Sequence, residues 1–138
     1  MKWDRFGFLA VSVLGALVAG CGETDSVVDA YRESDGDLRL VHFVVDADSP
    51  LVQGTNDLRI SLREVASDAP ITGANPTIMA MMPAMAHGNS ESPAIKELGE
   101  GAYLAPGLSL PMAGRWEIHL GAMLADKHDS VKFTYDVR

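Results

Sequence analysis

Residues 57–64 read Asp-Leu-Arg-Ile-Ser-Leu-Arg-Glu, with Leu58, Ile60 and Leu62 on one side of an extended chain and Arg59, Ser61 and Arg63 on the other. Successive side chains of a strand point to opposite faces. Strict alternation therefore marks a strand with one face in a core and one in water. The same pattern holds at 115–120, where Trp116, Ile118 and Leu120 oppose Arg115, Glu117 and His119, and at 131–137, where Val131, Phe133, Tyr135 and Val137 alternate. An α-helix repeats its apolar positions every 3.6 residues, and no stretch after residue 37 sustains that period.

Working outward, residues 39–45 are apolar and β-branched and read as a first strand, followed by turn-rich 46–56. Residues 67–75, with Pro70 and Gly73, form a loop before a strand at 76–82 that Pro83 halts. A loop at 87–93 leads to a short strand at 95–98. The next strand, 101–105, is closed by Pro106 and Gly107, and residues 110–114 and 126–129 are turns. Seven short strands separated by turn signals predict an all-β, immunoglobulin-like Greek-key β-sandwich over 37–138. The single cysteine excludes an internal disulfide. The core then holds by packing, with Trp116 expected at its centre.

The chain has 138 residues, 47% hydrophobic and 22% charged, which suits one folded domain. A formal charge of −8 repels polyanions and argues against nucleic acid as a partner. At the N-terminus, Lys2 and Arg5 precede an uncharged apolar run over 6–18 that ends in small residues, the pattern of a secretory signal peptide over 1–20. That run is shorter than the roughly 20 residues needed to span a bilayer. Leu17-Val18-Ala19-Gly20-Cys21 resembles a bacterial lipobox. The resemblance implies that Cys21 is acylated and holds the protein on a membrane at the periplasmic or extracytoplasmic face of the cell envelope. Residues 21–36 are acidic and poor in apolar side chains, and are expected to form a flexible tether.

Four of the seven methionines, Met79, Met81, Met82 and Met85, fall within 79–87, and His87 closes that segment. Thioethers are soft, neutral ligands that favour Cu(I), and imidazole accepts either copper oxidation state. If successive strands run antiparallel, the connections after residues 82 and 105 lie at one end of the sandwich. Met85, His87 and Met112 then form a candidate copper site, with Met82 as a substitute ligand. Methionine also fills cores, and strand residues Met79 and Met82 are assigned to packing. His42 is read as a hydrogen-bonded structural residue, His119 as solvated, and His128 as an ordinary turn residue. There is no G-x-S-x-G elbow, glycine-rich phosphate loop or H-E-x-x-H, so a binding role is favoured over an enzyme. Two readings follow. One is a copper-binding accessory or carrier. The other is an envelope protein-interaction module in which the methionines pack or make contact.

The segment Met-Pro-Ala-Met-Ala-His at 82–87, then Gly101-Ala102-Tyr103, then Leu-Pro-Met-Ala-Gly-Arg-Trp-Glu-Ile at 110–118, together resemble the YtkA-like domain. That resemblance implies an exported, often lipid-anchored immunoglobulin-like sandwich with relatives near copper-handling and cytochrome-oxidase assembly systems. It carries the methionine–histidine segment onto Met82, Met85 and His87, and the turn methionine onto Met112.

Overall fold

The computed structural model describes residues 30–88 and 92–138, without the side chains of residues 87 and 88. The leader over 1–20, Cys21 and the first part of the tether lie outside the described residues. Among the described residues there are nine strands: β1 (Tyr31–Asp35), β2 (Val41–Asp46), β3 (Gly54–Glu64), β4 (Thr77–Met82), β5 (His87–Gly88), β6 (Lys96–Gly99), β7 (Ala102–Leu110), β8 (Gly114–Leu124) and β9 (Lys127–Val137). They form two antiparallel sheets, ordered β1-β2-β3-β7-β6 and β5-β4-β8-β9. β7 returns beside β3, and β8 beside β4, so non-consecutive strands are neighbours in both sheets. The chain is a β-sandwich.

The core lies between the sheets and is built from the alternation already visible in the sequence. Leu58, Ile60 and Leu62 of β3 are at most 2% exposed, as are Val41, Phe43 and Val45 of β2. They face Ile78 and Ala80 of β4, Trp116, Ile118 and Leu120 of β8, and Phe133 and Tyr135 of β9, all in the same buried cluster. Burying an apolar side chain contributes roughly 1.5–3 kcal/mol, so this cluster outweighs any surface ion pair. Trp116 is buried at 3%, although Tyr103, Tyr135 and Phe43 are more completely enclosed.

The structure corrects three expectations. First, the tether does not run free to residue 36. Tyr31–Asp35 pairs along β2 as an edge strand, with Asp35 opposite His42. His42 Nδ1 lies 2.8 Å from Asp35 Oδ1, so the structural role read for that histidine consists in fastening β1. Second, Pro106 and Gly107 do not end their strand. Asn56 pairs with Leu108 and Leu58 with Ala105, which leaves one extra residue on β7. That β-bulge switches the inward positions from Tyr103 and Ala105 to Leu108 and Leu110, all buried. Asp57 Oδ1 accepts the Gly107 N–H at 2.8 Å, within the bulge. Third, residues 87–88 pair with Met82 and Met81 as the two-residue β5 instead of belonging wholly to a loop. These additions raise the count from seven strands to nine.

One side chain ties the β1–β2 hairpin to the opposite sheet. Asp129 of β9 is 1% exposed. Its Oδ1 accepts the N–H groups of Leu38 at 2.8 Å and Ser130 at 2.9 Å, and its Oδ2 those of Leu40 at 2.9 Å and Val41 at 3.0 Å. A Cβ built on Gly36 would sit 2.4 Å from this carboxyl group, so only glycine leaves it room. Burial alone raises the Asp129 pKa, but the backbone donors of Leu38, Val41, Leu40 and Ser130 outweigh it and hold the carboxyl below the usual range.

Because the folded-state pKa is depressed, this stabilisation is complete above the free aspartate value, about 3.9. It is lost as pH falls through the lower folded value. Asp129→Asn turns an amide NH₂ toward backbone donors and is expected to cost about 2–4 kcal/mol at pH 7. Urea denaturation checks this: the gap between wild type and variant should be full at pH 7 and shrink as pH falls below the free aspartate value of about 3.9. Equal midpoints at pH 7 would contradict the assignment.

Candidate functional site

The β4–β8 pairing decides where the candidate ligands lie. Met81 is opposite Glu117 in an antiparallel register, so the chain leaving β4 passes beside the start of β8. There Pro83–Met85 forms one 3-10 turn with proline in its first positions, and Ala86 closes it in a left-handed conformation at φ 51°. This turn contacts β8. Met112 lies in the connection from β7 that enters β8 at Gly114. Two connections distant in sequence thus meet at one end of the β4–β8 pair.

Exposure divides the candidates. Met82 is 5% exposed, and its Cε lies 3.1 Å from a Cβ built on Gly114, so it packs inside the sandwich. Met85 and Met112 are 48% and 44% exposed and present their thioethers to solvent. His87 pairs with Met82 through its backbone, and its side chain lies outside the described residues. Met79, assigned to packing from the sequence, is instead 44% exposed on the outer face of β4, because Ile78, Ala80 and Met82 supply the inward set. Among the described residues, no three His, Cys, Asp or Glu side chains cluster closely enough to share a metal ion.

The Met112 connection is held from below. Trp116 Nε1 donates to the Met112 carbonyl at 2.9 Å, so the buried indole fixes the backbone from which the thioether projects. Beside this end, Lys132 Nζ lies 3.1 Å from Glu117 Oε1, and that contact holds the Glu117 carboxyl below its usual range.

The Gly101-Ala102-Tyr103 segment proves structural. The Tyr103 hydroxyl donates to the Ile71 carbonyl at 2.8 Å and accepts the Ala74 N–H at 3.2 Å, which pins the β3–β4 connection. Burial pushes the Tyr103 phenol pKa up. Gly101 adopts φ +76°, and a Cβ there would sit 2.6 Å from the Leu62 carbonyl oxygen. Both the backbone conformation and the close approach require glycine. Nothing in the local sequence announces these contacts, since Tyr103 reaches residues about thirty positions away.

Trp116→Phe is expected to leave the Met112 carbonyl without its donor and to cost about 1–3 kcal/mol in thermal or urea unfolding. The Met112 methyl NMR signal should broaden or shift, and that of Met123 at the far end of β8 should not. Identical Met112 spectra in variant and wild type would show that the indole does not hold the turn.

With this geometry in place, the known proteins most like the chain can be compared with it. No curated protein matches the sequence. A solved DUF4785-family protein from Legionella pneumophila is similar in fold, with a TM-score of 0.51 at 13% identity over 71% of this chain. The match takes in only 28% of that protein's length, and at this identity it bears on the fold alone. The YtkA-like family model matches residues 39–121, from the start of β2 into β8, including the Pro83–Met85 turn, the Gly101–Tyr103 segment and the Met112 connection. Matched over more than half of its length, the chain belongs to the YtkA-like family.

Proposed function

We propose that this protein is a lipid-anchored, extracytoplasmic binding protein that holds copper, with Met85, His87 and Met112 as the ligand set. The observation that carries this reading is that two exposed thioethers from separate connections, Met85 and Met112, lie at one end of the β4–β8 pair. The backbone register supports His87 as the nitrogen donor at that end. Soft, neutral sulfur selects Cu(I) over hard cations and need not lose a proton to bind. Met82, buried beneath, supports the site by packing and takes the role of substitute ligand only if its side chain turns outward.

The lipobox-like segment at 17–21 supports an acylated Cys21 and a location on the envelope membrane. Two or three acyl chains give lasting attachment where one gives marginal binding. Residues 22–29 between Cys21 and the folded domain reach at most roughly 30 Å, which keeps the sandwich near the membrane surface. An envelope protein that gives or takes the metal is the partner this location implies.

Anaerobic titration of the detergent-solubilised chain with Cu(I), against a coloured chelator, tests the reading. Met85→Leu/Met112→Leu is expected to hold one equivalent fewer than wild type at nanomolar affinity, about 12 kcal/mol of binding free energy. Its unfolding midpoint should be unchanged, because both side chains are exposed. Identical copper stoichiometry and affinity in the two proteins would overturn the assignment. The methionines would then be contact surface for a protein partner.

A further inference from the structure

The outer face of the β4–β8–β9 sheet carries a second set of soft and borderline donors. Met79 on β4 lies directly opposite His119 on β8, and such cross-strand pairs hold their Cβ atoms about 4.5–5.5 Å apart. Two residues further along β8, Gly121 leaves a gap in the sheet face. The His128 ring from β9 lies over that gap, with its Nε2 2.5 Å from where a Gly121 Cβ would be. Met79, His119 and His128 thereby line one depression of about 310 Å³, together with Thr77, Ser92 and Ser130.

Among the described residues, neither imidazole makes a hydrogen bond like the 2.8 Å contact that holds His42. His119 Nε2 is shielded from solvent and makes no hydrogen bond among the described residues. Glu117 Oε2 stands 3.4 Å from it, an ion pair when the ring is protonated and a contact that falls short of a hydrogen bond. Lys132, opposite His119 on the β9 side, lies 3.1 Å from Glu117 Oε1, which offsets its charge. A shielded ring nitrogen that lacks a well-formed hydrogen bond costs free energy, and a metal ion removes that cost.

We propose that Met79, His119 and His128 form a second copper site, on the outer face of this sheet, which takes Cu(I) through one thioether and two imidazole nitrogens. Its donor set is two nitrogens and one sulfur, a set that suits Cu(I) and does not suit Ca²⁺ or Mg²⁺. Gly121 is a positioning residue, because any side chain there displaces the His128 ring. The site uses none of the ligands proposed at the Met85–Met112 end, so each assignment stands or falls separately.

The test uses the full chain carrying Met85→Leu/Met112→Leu, titrated anaerobically with Cu(I) against the chelator while imidazole ¹⁵N–¹H spectra are recorded. This background is expected to retain one equivalent of Cu(I), with the His119 and His128 signals shifting and the His42 signals unmoved. Adding His119→Gln/His128→Gln should remove that equivalent, and adding Met79→Leu should weaken it. Gly121→Ala should weaken retention roughly ten-fold through the displaced ring. Circular dichroism confirms the fold of each variant. The proposal is overturned if the two imidazoles ignore Cu(I), or if the equivalent survives His119→Gln/His128→Gln. A background that holds no copper while wild type holds one equivalent overturns this site and leaves the Met85–Met112 reading standing. A wild type that holds none overturns both.

Discussion

The Asp129 carboxylate is buried at 1% exposure and accepts four backbone N–H groups, two on each oxygen. An ionised group is placed in a core only when hydrogen bonds replace the water it gives up. Three of the donors come from the β1–β2 hairpin in one sheet, while the acceptor and the fourth donor, Ser130, stand on β9 in the other. One residue thus ties the hairpin's turn to the opposite sheet. The Asp37 N–H adds a further tie to the Ser130 carbonyl at 2.8 Å, and Gly36 supplies the space. Without a disulfide, such polar joints fix the relative placement of sheets that apolar packing alone holds less specifically.

The same division of labour recurs at the other connections. Tyr103 pins the segment between β3 and β4, Asp57 accepts the Gly107 N–H in the β7 bulge, and Trp116 holds the connection into β8. Tyr103 and Trp116 are buried and Asp57 is exposed, and each satisfies a backbone atom that a turn or bulge leaves open. The consequence for function is positional. The candidate ligands project from connections and from an outer sheet face whose backbones are fixed by contacts that leave the ligand side chains out, as Trp116 does in bonding the Met112 carbonyl.

Much of this architecture is legible in the sequence where one face of a strand is wet. The alternations at 57–64, 115–120 and 131–137 reappear in β3, β8 and β9 because burial enforces a period of two. β1 is not legible, since Tyr-Arg-Glu-Ser-Asp has the composition of a solvated spacer and is held by backbone pairing and by His42. The β7 bulge reads as a strand end because proline and glycine occupy it. Asp129 looks like a turn residue, as three of its donors lie 88 to 91 positions away. For the site, antiparallel reasoning places the Met85 and Met112 connections at one end, as the register shows. The juxtaposition of Met79, His119 and His128 needed the pairing of three strands, plus a glycine whose missing side chain admits a ring.

The placement of the methionines bears on how binding and folding are coupled. Met82 is enclosed and contributes to the core, whereas Met79, Met85 and Met112 are each more than two-fifths exposed. Exposed apolar residues occur singly on any protein, but these three lie on one sheet or at its end, and Met79 is directly opposite His119. In a small metal-dependent domain the ligands supply the folding energy, and the apo form unfolds. Here the core is complete without them. A site whose donors lie outside the core can gain or lose its ion with no change in fold, as a protein that receives and passes on a metal requires. The net charge of −8 draws cations of every kind toward such a surface. The donors proposed above, neutral sulfur and imidazole, would discriminate among them, because such ligands add affinity for a soft ion without adding charge that serves a hard one equally well.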